Sequence, residues 1–170
     1  MASMSNPIFE SDSESQQFAL TLCQIAVEQI VSGQVDQAVE SLEESLRLFP
    51  TAEGYTYRGW AFALQGHHNK AISYCRKAIR LDPLFGNPYN DIGVYLMQLG
   101  RFEEALQWFE RAKKASRYDP RHYPYLNSGH IYMIFGEQNK ALAEYVVALE
   151  LDPGNEIAHK AMAQMEMDFF

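Results

Sequence analysis

The sequence predicts an all-α fold in which helix–turn–helix hairpins stack into a solenoid. Three observations carry that reading: one pattern recurs about every 34 residues, apolar residues within each copy follow helical spacing, and glycine or Asp-Pro marks each break. Aligning Gly66, Gly100 and Gly136 brings Tyr55, Tyr89 and Tyr125 into register. The same alignment superposes Gly59, Gly93 and Gly129; Phe62, Leu96 and Tyr132; Ala71, Ala105 and Ala141; Cys75, Phe109 and Tyr145; and Ala78, Ala112 and Ala148. A degenerate earlier copy runs through Leu22, Ala26, Gly33, Ala38, Leu42 and Ser45 to Pro50. Such units bury their apolar faces only against neighbours, which makes the chain an array rather than a single enzyme core.

The elements follow in order. Residues 1–15 form a polar N-terminal tail, and Ser11 with Glu14 resembles a capping box, so the first helix begins between about 12 and 16. Apolar positions recur at three- and four-residue intervals from Phe18 to Val31, break at Ser32-Gly33-Gln34, and resume from Val35 to Leu48. Phe49-Pro50 stops this second helix, because the residue before proline disfavours the α region. Helix pairs are expected at about 52–65 and 68–81, 86–99 and 102–115, and 122–135 and 138–151. The repeats span about 19–50, 52–83, 86–120 and 122–153, within a body of 16–153. From Pro83 to Pro120 is 37 residues, against 33 from Pro50 to Pro83 and from Pro120 to Pro153. The surplus near Ser116-Arg117-Tyr118 is an extended loop or an extra helical turn. After Pro153-Gly154, residues 154–170 supply a C-terminal capping helix from Glu156 to about Met167, with Ile157, Ala161, Met162 and Met165 on one side.

Packing explains the recurring residue types. The Gly59 and Ala71 series sit where two helices cross closely, and the aromatic series fills the gap between one hairpin and the next. Gly66, Gly100 and Gly136 end the first helix of each pair in a left-handed conformation.

Composition narrows the function. The chain has 170 residues, 47% of them hydrophobic, and a net charge of −8. No basic stripe exists to displace counterions from nucleic acid, and no apolar run reaches the roughly 20 residues that span a bilayer. The polar N-terminus, with Glu10, Asp12 and Glu14, matches neither a secretory signal nor a transit peptide, so a cytoplasmic location is expected. Cys23 and Cys75 lie in different repeats and read as buried small hydrophobes. His67-His68 fall on a turn, and His122 and His130 lack partners for a four-ligand metal site. Glu43-Glu44 and Glu103-Glu104 are solvated helix faces, and no phosphate-binding glycine loop is present. No catalytic residue, metal or cofactor is expected.

These residues closely resemble the tetratricopeptide repeat family over about 19–153, with three good copies and one weak N-terminal copy. Ala148-Leu149-Glu150-Leu151-Asp152-Pro153 matches the end of the family pattern, and Ala78-Ile79-Arg80-Leu81-Asp82-Pro83 is close to it. Arg58 and Ser128 depart from it, standing where leucine is usual. The resemblance implies a right-handed superhelix whose first helices line a concave groove for a protein or peptide partner. The family's inner positions carry over as Leu20, Cys23, Val27 and Ile30; Glu53, Thr56, Trp60 and Ala63; Asn87, Asn90, Val94 and Met97; and Tyr123, Leu126, His130 and Met133. Only Glu53 of these is charged, so the strip suits a peptide held by burial and side-chain hydrogen bonds. Trp60 reads either as an exposed anchor or as packing against the first helix or the tail. Asn90 and Asn127 read either as partners for a ligand backbone or as solvated amides, and Met97 and Met133 as packing or recognition. The basic residues with which some family members grip acidic chaperone tails are absent: Cys23, Val27, Tyr57, Asn87 and Asp91 occupy those positions in one register, and Thr56, Trp60, Asp91, Tyr123 and Asn127 in the other. The leading expectation is a non-catalytic adaptor, monomer or homodimer. The alternatives are a small acidic chaperone resembling those of type III secretion translocators, or a dimeric assembly scaffold.

Overall fold

The computed structural model describes residues 12–167. Most of the tail expected at the N-terminus, and the capping role of Ser11, lie outside them. The described residues form nine α-helices: α1 (Asp12–Val31), α2 (Val35–Leu48), α3 (Ala52–Leu64), α4 (His68–Leu81), α5 (Asn87–Gln98), α6 (Phe102–Lys114), α7 (Tyr123–Ile134), α8 (Gln138–Leu151) and α9 (Glu156–Met167). Consecutive helices pack as the hairpins α1/α2, α3/α4, α5/α6 and α7/α8, and each hairpin packs on the next. The odd-numbered helices α1, α3, α5 and α7 also touch one another in succession, so they form the inner layer of the curved array. Ala158 and Met165 of α9 are buried in the cluster that contains Leu126 and Tyr145.

The same turn closes all four hairpins. Gly33, Gly66, Gly100 and Gly136 have φ between 72° and 81°. The following N–H groups, of Gln34, His67, Arg101 and Glu137, donate to Gln29, Phe62, Leu96 and Tyr132 carbonyls at 2.7–2.9 Å. This pairing satisfies carbonyls that the end of a helix leaves open, and it needs a residue tolerant of positive φ.

Within each hairpin, a small residue on the inner helix meets a larger one on the outer helix. A Cβ added to Gly93 would fall 2.4 Å from the Phe109 ring, and one added to Gly129 would fall 2.6 Å from the Tyr145 ring. Tyr55 and Phe62 likewise stack on Tyr74 of their own pair, with centroids 6.2 and 5.2 Å away. These aromatic residues therefore fill the crossing inside a hairpin, not the gap between hairpins that spacing alone predicts. Arg58, one of the two departures from leucine, lays its guanidinium 5.2 Å from the Tyr74 ring centre and 3.5 Å from Glu43. Ser128, the other, is fully buried with its hydroxyl unpartnered. Ser45 shows the satisfied alternative: its buried hydroxyl donates to the Ala19 carbonyl at 2.8 Å.

The surplus residues after α6 form an extended strut rather than a helical turn. Arg117 N–H donates to the Leu84 carbonyl at 3.0 Å, and Gly86 N–H donates to the Arg117 carbonyl at 2.8 Å. The Arg117 guanidinium donates to Asp82 at 2.9 Å and to Glu53 at 2.8 Å, tying the end of α4 and the start of α3 to this loop. Tyr118 is buried directly over Gly86, where an added Cβ would lie 2.3 Å from the Tyr118 Cβ.

Two stability predictions follow from this packing. Ala105, fully buried in the central core, leaves no room for a larger side chain; Ala105→Leu should lower stability by about 1–3 kcal/mol in urea denaturation, and an unchanged midpoint would contradict the packing. Ser128→Ala removes a buried hydroxyl that nothing pairs, and should raise stability by about 1 kcal/mol in the same measurement.

Candidate binding groove

A cleft of about 620 Å³ opens between the inner helices α3 and α5. Thr56, Trp60 and Ala63 of α3 line one wall, and Asn87, Asp91, Val94 and Gln98 of α5 line the other. Steps of three and four residues place each set on one helical face. Tyr57, Leu64, His68 and Tyr95 complete the lining.

Five of the residues expected on the inner strip are brought together here: Thr56, Trp60, Ala63, Asn87 and Val94. Trp60 borders the cleft and also packs against the cluster of Ala26, Ile30, Leu42 and Ala61. The remaining expected residues lie elsewhere. Glu53 is held in the Arg117 ion pair at the edge. Asn90 is buried, and its Oδ1 accepts from Asn127 Nδ2 at 3.1 Å, so these two amides join α5 to α7. Met97 packs on the central core, and Met133 packs beside Leu126 and Tyr145. Tyr123 and His130 are exposed outside the cleft.

The offsets explain the difference. The fifth position of each repeat, Cys23, Thr56, Asn90 and Leu126, is buried in all four copies. Of these four Thr56 alone borders the cleft, and the sixth position of the second and third repeats, Tyr57 and Asp91, borders it as well. Asp91 lies four residues after Asn87 and three before Val94, so helical spacing from those two residues points to it. His68 is the other omission: as the first residue of α4 it reaches the cleft, and its Nδ1 is buried without a hydrogen-bond partner.

Asp91 dominates the electrostatics. Desolvation pushes its carboxyl up to about 7, against a smaller opposing effect from the Asn90 amide. Burial raises the Tyr57 and Tyr95 hydroxyls, and the nearby Asp91 charge adds to both. The titratable neighbours are Tyr57 of α3, His68 and Cys75 of α4, Tyr95 of α5 and Tyr118 of the strut; among the described residues none gives Asp91 an ion pair. A carboxyl whose folded pKa lies above its unfolded value costs stability as pH rises through that interval, and the cost is complete above the folded value. Each tenfold change in proton affinity corresponds to about 1.4 kcal/mol. Asp91→Asn should therefore melt above the wild type at pH 8, with the difference shrinking by pH 5; a gap that is constant with pH would contradict the desolvated carboxylate.

Models described as tetratricopeptide repeat match residues 52–85, 89–117 and 123–155. The small glutamine-rich tetratricopeptide repeat-containing protein 2 of Mycosarcoma maydis is 32% identical over 75 residues, covering 44% of this chain and 21% of that protein. The chain thus spans about a fifth or less of the length of the curated relatives it matches. Among solved structures, PilW, titled a widely conserved type IV pilus biogenesis factor, superposes with a TM-score of 0.79 at 24% identity, over 89% of this chain and 70% of PilW. YrrB, titled a TPR protein with an unusual peptide-binding site, superposes with a TM-score of 0.67 at 20% identity, over 89% of this chain and 77% of YrrB. These two likenesses concern the fold alone. With its helix pairs, its glycine turns and three matched copies, the chain belongs to the tetratricopeptide repeat family, a protein-interaction fold.

Proposed function

We propose that the chain serves as an adaptor that binds a peptide segment of a partner protein along its inner face, seated in the cleft between α3 and α5. The single observation that carries this reading is the cleft itself: about 620 Å³, with Trp60, Val94 and Leu64 at its walls and rim. Apolar walls with a few polar groups suit a segment held partly by burial and partly by hydrogen bonds. A peptide-binding site in YrrB, which shares the fold, agrees with this use of the architecture. Neither a reaction nor a cofactor is needed for it.

Leu64 provides a cleaner probe than Trp60, because it is 53% exposed at the rim while Trp60 also supports the N-terminal core. Peptides selected from a random display library on the wild-type protein should lose at least tenfold in affinity for Leu64→Glu, with little change in melting temperature. Leu142→Glu, at an exposed position on the outer helix α8, should bind as the wild type does. Loss of binding in Leu142→Glu with retention in Leu64→Glu would place the site on the outer face and overturn the reading.

A further inference from the structure

We infer that the α3–α5 cleft takes a basic side chain, lysine or arginine, from the partner segment, with Trp60 and the tyrosines as its walls and Asp91 as its counter-ion. The inference rests on the proposed use of this cleft and adds what the cleft selects. Three observations carry it.

The first is the lining. Trp60, Tyr57 and Tyr95 surround a site whose only carboxylate among the described residues is Asp91. Aromatic faces attract a cation through the negative charge above the ring, and a carboxylate supplies the opposing charge. The second is the unmet demand of these groups. Asp91 is half-buried in the cleft wall and has no ion pair among the described residues, and His68, whose Nδ1 is buried and unpartnered, lines the same cleft. An arriving ammonium or guanidinium brings several N–H donors, whereas an apolar anchor would leave Asp91 unpaired and further desolvated. The third is the distribution of charge. Of the chain's 14 lysines and arginines, one, Arg58, belongs to α1, α3, α5 or α7, and its guanidinium is engaged with Glu43 and Tyr74. The same helices carry Glu28, Glu53 and Asp91, of which Glu53 is paired with Arg117. An inner layer short of cations and supplied with carboxylates attracts a basic segment and repels an acidic one.

The test is a double-substitution cycle by isothermal titration on the full chain. A peptide selected on the wild type is compared with versions carrying lysine, arginine, citrulline or norleucine at its basic position. Citrulline and norleucine should weaken binding to the wild type at least tenfold, and Asp91→Asn should abolish the difference while leaving the melting profile cooperative. Selected peptides with no basic residue, or equal affinities for the charged and neutral versions, would overturn the inference. If Leu64→Glu still abolishes binding in that case, the cleft remains the site and only the cationic ligand is lost; if Leu64→Glu binds normally, the cleft itself is excluded. An Asp91-dependent dimer in sedimentation, with no peptide selected, would make a second copy of the chain the occupant and overturn the partner segment.

Discussion

The structure depends on how closely the two helices of a hairpin can approach. At Gly59, Gly93 and Gly129 the inner helix carries no side chain, and Cys75, Phe109 and Tyr145 of the outer helix occupy the vacated space. Protein interiors tolerate little change in volume, so a methyl group at Gly93, 2.4 Å from the Phe109 ring, cannot be absorbed without moving that helix. The matched pair of a missing side chain and a ring sets the spacing of each hairpin. Repetition of that spacing along the chain produces the curvature.

Curvature in turn decides which residues remain for recognition. Each inner helix has one face on its outer partner and its flanks on neighbouring inner helices. The strip left over between α3 and α5 becomes a cleft, while between α5 and α7 the Asn90–Asn127 hydrogen bond closes the gap. The Arg117 strut holds the edge of the cleft by linking Glu53 at the start of α3 to the loop that precedes α5. The proposed binding cleft therefore lies at one junction of the array, between α3 and α5. A rigid frame of this kind limits the ordering cost of receiving a flexible segment.

The sequence made the frame legible and left half of the site hidden. Helix limits fall within a residue or so of expectation because glycine at positive φ and Asp-Pro are local signals, read without knowledge of neighbours. Trp60 and Val94 were legible because they stand at a shared offset on the inner helices, although His130 at the same offset of the fourth repeat lies outside the cleft. Asp91 and Tyr57 were missed because the inner strip was counted through the fifth position, where Asn90 turns into the contact with α7 although Thr56 still borders the cleft. The Glu53–Arg117 pair joins residues 64 apart in sequence, and no periodicity reveals such a contact. His68 was read as a solvated turn residue; its place at the cleft depends on how α4 leans over α5, which is a tertiary property.

The most direct examination of this architecture is amide chemical-shift mapping of the ¹⁵N-labelled chain during titration with a selected peptide. Saturable shifts should concentrate on residues 56–64 of α3 and 87–98 of α5, with the outer helices α4, α6 and α8 largely unmoved beyond His68. A shift pattern centred on the outer helices, with α3 and α5 unaffected, would contradict the inner cleft as the recognition surface.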